Sequence, residues 1–230
     1  MTSRNMEILK YTTNVAVIFV TIAFLGSTPH SARGMYYVIL LSVWYSIWKR
    51  SEVLRQTLRN IPLSEFVIYF SLGILMILFE ETIAGISVNI GHTPDVPSLL
   101  ASIPQYYANN LLLLPGFIIW WYLLLKRYAF TQKEVFILVG MFGIFAEKIY
   151  IHILNMPIIG IPLILPTMFT YIIIILPSLL SLRSTSEQSL HPILKYPLGF
   201  FFPIIMSIPF LLIHSYMSRL WYIDPSILMQ

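Results

Sequence analysis

The sequence contains no cysteine. Disulfides, thiolate nucleophiles and Cys-ligated zinc or iron–sulfur centres are therefore excluded. Charge is almost as scarce: Asp, Glu, Lys and Arg make up 10% of the 230 residues, against about 25% in an ordinary soluble domain. A water-facing surface cannot be built from so few charges. A disordered chain, which depends on charge and low hydrophobicity to stay open, is excluded as well. No HExxH, HxxxH or Glu-x-x-His pattern sets two metal ligands on one helix face. A GxSxG nucleophile elbow and a GxxxxGK[ST] phosphate loop are also missing. There is no low-complexity linker and no sign of a second domain, so residues 1–230 read as one unit.

What is present is apolar. Hydrophobic residues make up 57% of the chain and the mean hydropathy is +0.79. This composition predicts an all-α, polytopic transmembrane helix bundle. A helix needs about 20 mostly apolar residues to cross a bilayer core of about 30 Å. Charge-free runs, extended where a flanking charge can snorkel, predict spans over 10–27, 34–49, 65–86, 106–125, 134–154, 161–182 and 197–217, about seven helices in all. The stretch MTSRNMEILK is short and mixed in charge, and STPHSAR is a poor cleavage context, so the first span reads as retained rather than as a signal peptide. Between spans lie PLSE at 62–65, a proline-bearing loop over 87–105, the turn 155–162 and the polar stretch 183–192.

The net charge of +4 does not point to nucleic acid, because Lys and Arg sit at helix ends. Cytoplasmic loops carry the excess of Lys and Arg. Arg4, Lys10, Lys49, Arg50, Arg55, Arg59, Lys126, Arg127, Lys133, Arg183 and Lys195 fall on one side of the predicted membrane; only Arg33 and Arg219 fall on the other, and Lys148 lies within a span. The N-terminus is thus expected inside and the C-terminus outside, in a plasma membrane of prokaryotic type. Trp44, Trp48, Trp120 and Trp121 fall at the expected inner interface, and Tyr36, Tyr37, Tyr106, Tyr107, Trp221 and Tyr222 at the outer one. Residues 51–61 read as a short interfacial helix or a basic loop, with Leu54, Leu58 and Ile61 on one face.

An ionisable side chain inside a membrane is costly and marks a candidate site. Glu80, Glu81, Glu147 and Lys148 qualify, with His152 and His214 near helix ends. Glu80 and Glu81, like Glu147, lie about 20 Å from the inner face at 1.5 Å per residue. His92, Asp95, Asn109 and Asn110 are expected further out, so the polar groups collect in the outer half. Residues 78–83 align locally with 144–149, matching Glu81 to Glu147. Two facing carboxylates would share a proton, take a cation, or pair with Lys148. Glu81 and Glu147 are the expected acid–base or cation-binding pair. Glu80, Lys148, His152, His214, Asn109 and Asn110 are the expected ligand-binding residues around them. The plainer alternatives are that Glu80 and Glu81 end a helix in headgroups, that the histidines pack at the interface, and that Asn109 and Asn110 cap a helix or bond between helices. Carboxylates and imidazoles suit zinc or iron, so a metal at Glu81, Glu147, His152 and His214 is a further alternative.

IPLSEFVIYF (61–70) resembles the Pro-x-Glu-Glu helix start of the lycopene cyclase domain family, small polytopic isoprenoid enzymes with a repeated unit. The match covers about ten residues; Ser64 replaces the first acid, and 161–169, where a second copy would fall, has none. Glu80-Glu81 followed by His152 and His214 is similar in order to the groups of CAAX-type intramembrane proteases, but their EExxxR motif would need Arg at the position of Gly85. Neither family is adopted. The expected function is binding, or acting on, a lipid-phase or extracytoplasmic small ligand, with membrane lipid around it. As an enzyme it would use proton transfer to an isoprenoid or metal-assisted hydrolysis. The alternatives are an ion- or proton-coupled transporter, or a structural subunit of a membrane oligomer or complex.

Overall fold

The computed structural model describes residues 33–90, 92–111 and 114–220. The expected span 10–27, and Trp221 and Tyr222, lie outside the described residues. Nine helices and no strands are found among the described residues: α1 (Arg33–Lys49), α2 (Ser51–Arg59), α3 (Glu65–Asn89), α4 (Val96–Leu111), α5 (Leu114–Arg127), α6 (Gln132–Ala146), α7 (Ile149–Asn155), α8 (Pro157–Ser181) and α9 (Pro192–Leu220). Glu65–Asn89, Leu163–Ser181 and Pro192–Ile213 are long and apolar enough to cross a membrane.

Several boundaries follow from local chemistry. Ser64 caps α3, its hydroxyl accepting from the Val67 N–H at 3.3 Å. Thr131 and Glu134 form the capping box that their spacing predicts: the Glu134 N–H donates to Thr131 Oγ1 at 3.2 Å and the Thr131 N–H to Glu134 Oε2 at 2.7 Å. Pro157 opens α8 at a position where a missing N–H costs nothing.

Two expectations need correction. The segment 87–105 is not a loop throughout, because α4 begins at Val96. Asp95 caps it, accepting from the Ser98 N–H at 2.8 Å, and Pro97 lies in the first turn where it is tolerated. The expected span 134–154 is not straight: α6 and α7 meet at 72°, and together they would pass as one membrane crossing. The break falls at Glu147, which ends α6, and at Lys148, whose φ of 55° is left-handed. A non-glycine residue pays a steric penalty there, and the α-helical hydrogen-bond ladder cannot run through it.

α8 is the hub, packed against α1, α2, α3, α6 and α7, while α5 packs on α9 and α4 on α3. Tyr69, Ile77, Phe117, Ile118, Trp121, Val139 and Ile175 form the centre of the core and are wholly buried. Trp44 and Trp121 therefore belong to the core rather than to an interfacial belt. At Gly116 a Cβ would fall 2.3 Å from the Met206 carbonyl oxygen, so α5 and α9 touch backbone to backbone there. α2 forms as expected, with Leu54 and Leu58 half-buried.

Candidate functional site

Five acidic side chains, Glu65, Glu80, Glu81, Glu134 and Glu147, fall into two groups, and the two groups are partnered differently. Where α3 and α6 begin, they meet lysines. Glu65 lies 3.2 Å from Lys126 Nζ and accepts the Arg183 N–H at 2.8 Å. Glu134 holds Lys195 through both oxygens, at 2.8 and 2.7 Å, and that ammonium sits 4.7 Å from the centre of the Phe130 ring. The acid in the 61–70 stretch thus pairs with Lys126, and its neighbour Ser64 is a helix cap.

Farther along α3, Glu80 and Glu81 are 7% and 4% exposed, so both are buried in protein rather than projecting from a helix end. Their partners are neutral. The Tyr36 hydroxyl, from α1, donates to Glu80 Oε1. The Asn110 amide, from α4, donates to Glu81 Oε1. The two carboxyls also interact with each other, and the charge of Glu147 acts on both. Glu147 is exposed at the end of α6 and accepts from the Tyr171 hydroxyl of α8 at 2.8 Å. Among the described residues, no Lys, Arg or His forms an ion pair with any of these three acids.

The local alignment of 78–83 with 144–149 does not make α3 and α6 direct neighbours. α8 packs against both. Its residues Thr170 and Tyr171 serve the two sides, Thr170 beside the Tyr36 hydroxyl and Tyr171 on Glu147. Gly143 permits this arrangement, because a Cβ there would lie 2.5 Å from Tyr171 Cδ2. α4 is fastened to the same stretch of α3 by polar rungs: Thr82 Oγ1 is 2.6 Å from the Tyr107 hydroxyl, and the Asn89 amide donates to the Tyr106 hydroxyl at 3.2 Å. Tyr106 and Tyr107 are therefore interhelical partners as well as residues of the helix end.

Of the expected site residues, Glu80, Glu81, Asn110 and Glu147 come together. Lys148 and His152 do not join them: both are exposed, and neither bonds to a carboxylate among the described residues. Asn109 lies in α4 and His214 in α9, with side chains outside the described part of the structure. His92 is exposed between α3 and α4. No group of three or more His, Asp or Glu side chains among the described residues is placed to hold a metal ion. Tyr171 and the role of Tyr36 escaped sequence reasoning. A phenol inside an apolar run counts as hydrophobic, although its hydroxyl needs a partner once buried.

The site can therefore accept protons or positive charge. Its carboxyls are oriented by two phenols and one amide, and among the described residues no cation pairs with them. No family model, no curated protein and no solved structure matches the chain.

Proposed function

We propose that this chain is a multi-pass membrane protein that binds a small ligand from the lipid phase or the extracytoplasmic side at Glu80, Glu81 and Glu147. The ligand brings positive charge or hydrogen-bond donors to the carboxyls. The carrying observation is the gathering of three acids that, among the described residues, accept from Tyr36, Asn110 and Tyr171 and form no ion pair with Lys, Arg or His. Buried carboxylates close together cannot all ionise without a compensating cation. Between ligands, protons are that compensation, so ligand capture releases them. Glu81 and Glu147 carry the acid–base or cation-binding role, and Asn110 orients Glu81. About seven helices, with the N-terminus cytoplasmic and the C-terminus outside, are supported by the one-sided placement of Lys and Arg.

The test uses the full chain in detergent, titrated with alkali and divalent cations and with organic amines at several pH values, while thermal midpoint and proton release are followed. One class should raise the midpoint and release protons in the wild type and do neither in Glu81→Gln/Glu147→Gln. Absence of a response to every class, or an unchanged response in the double variant, overturns the reading. The missing cysteines make topology accessible too. Thr93→Cys should react with an impermeant maleimide from outside intact cells, and Ser189→Cys should not.

A second reading, proton- or ion-coupled transport, is favoured by the break at Glu147–Lys148. Discontinuous helices beside a charged site are how many transporters hold coupling ions. Proton-linked flux in proteoliposomes separates transport from binding alone.

A further inference from the structure

We propose that the groove beside the last turns of α5 binds a phospholipid whose headgroup is a net-negative phosphodiester. The inference rests on the membrane reading above but not on the carboxylate site or on the orientation of the chain. The groove is about 490 Å³ and is lined by Trp120, Leu123, Leu124, Lys126, Arg127 and Tyr128. That volume lies within the usual range for small-molecule sites, about 300–1,000 Å³.

One wall is apolar and fixed. Trp120 stacks on Phe202 at 4.9 Å and donates its Nε1–H to the Leu198 carbonyl at 2.8 Å. Leu123, 47% exposed, offers the surface along which an acyl chain can lie. The other wall is cationic, but its two charges are not equivalent. Lys126 is committed, bonding the Ser184 carbonyl at 3.0 Å, the Ser184 hydroxyl at 3.1 Å and Glu65 at 3.2 Å. Arg127 is exposed and has no acidic partner among the described residues; its Nε donates to the Tyr128 hydroxyl at 3.2 Å, and its guanidinium carbon lies 5.9 Å from the centre of the Tyr128 ring. The terminal guanidinium nitrogens and the Tyr128 hydroxyl proton are thus left for a ligand.

A guanidinium fork matches two phosphate oxygens. A zwitterionic headgroup would add an ammonium, and the residues that line the groove include no carboxylate to receive it. Charge complementarity therefore selects an anionic lipid, and the apolar wall selects a lipid over a soluble phosphate.

The full chain in neutral detergent is examined by native mass spectrometry with phosphatidylglycerol, phosphatidylcholine or glycerol phosphate added. Phosphatidylglycerol should be retained preferentially. Arg127→Gln should reduce that preference about fivefold, the effect of one basic residue at a membrane surface. Arg50→Gln, an exposed charge elsewhere, should leave it unchanged. Equal retention of the two lipids, an equal loss in both variants, or displacement by glycerol phosphate overturns the proposal. Alkaline carbonate extraction tests the underlying reading separately. A chain released by carbonate overturns the membrane reading itself, whereas a chain that stays in the membrane fraction without lipid preference overturns only the lipid site.

Discussion

Glu65 and Glu134 each have a lysine within 3.2 Å, whereas Glu80, Glu81 and Glu147 have a phenol or an amide. The first arrangement is complete. Charge meets charge, and Glu134 also closes a capping box. Among the described residues, the second lacks one kind of partner, a cation. Neutral donors can orient a carboxylate, but they do not cancel its charge. Acids whose cations are built into the chain serve the fold, and acids whose cations are not built in are free to serve a ligand or a proton.

The sharpest way to break this comparison is to remove a cation from the complete end. Lys195→Met strands Glu134, which is about one-fifth exposed. The expected loss is about 2–3 kcal/mol, below the 3–5 kcal/mol of a fully buried broken pair. Lys195→Met/Glu134→Gln should recover most of it, since no charge is then stranded. At the other end Glu81→Gln should change stability by no more than about 1 kcal/mol, the net worth of one hydrogen bond, because the amide oxygen still accepts from Asn110 while the proton or cation response is lost. A large loss in Glu81→Gln would make that acid structural and erase the distinction.

The next effect separates the acids within the incomplete end. Tyr36→Phe removes the hydroxyl from a buried Glu80 and should cost about 1–3 kcal/mol, the range for leaving a buried polar group unsatisfied. Tyr171→Phe acts on an exposed Glu147, which can find another donor, and should cost about 1 kcal/mol. Equal costs in chemical denaturation would mean that Glu147 is as enclosed as Glu80.

Smaller still, and of opposite sign, is Lys148→Gly. A left-handed lysine is strained by about 1–2 kcal/mol, which glycine relieves at the cost of a more disordered unfolded chain. A gain of up to about 1 kcal/mol in thermal midpoint is expected, with the 72° bend retained. A loss would show that the lysine side chain holds the bend through a contact of its own.

Much of the helical layout is legible in the sequence, because capping chemistry is local. Ser64, Thr131 and Glu134 mark starts that the structure keeps, and the polar stretch 183–192 stays non-helical up to Pro192, where α9 begins. Direction is not legible in the same way. A charge-free run gives the length of a span but not whether its backbone turns, so the break at Glu147–Lys148 was hidden. Among site residues, carboxylates and amides announce themselves in an apolar chain, and Glu80, Glu81, Glu147 and Asn110 were all visible. The donors that orient two of them were not, because Tyr36 and Tyr171 count as hydrophobic until their hydroxyls are seen in place.

The smallest effect concerns Asp95, an acid of a third kind, exposed and partnered by the helix it caps. The Ser98 side chain first, and the Ser98 backbone N–H second, hold its carboxyl below the ordinary value of 3.8. The sign follows from linkage. A carboxyl whose folded value is depressed contributes stability that is present above the unfolded value and is lost as pH falls through the lowered folded value. The first turn of α4 should therefore exchange its amide hydrogens normally at neutral pH and open more readily in acid below about pH 3.8, after correction for intrinsic exchange. Asp95→Asn keeps an acceptor for the Ser98 N–H but removes the titration, so exchange in this turn should become flat with pH. An acid-induced opening that persists in Asp95→Asn would show that a group other than the cap sets the acid stability of this turn.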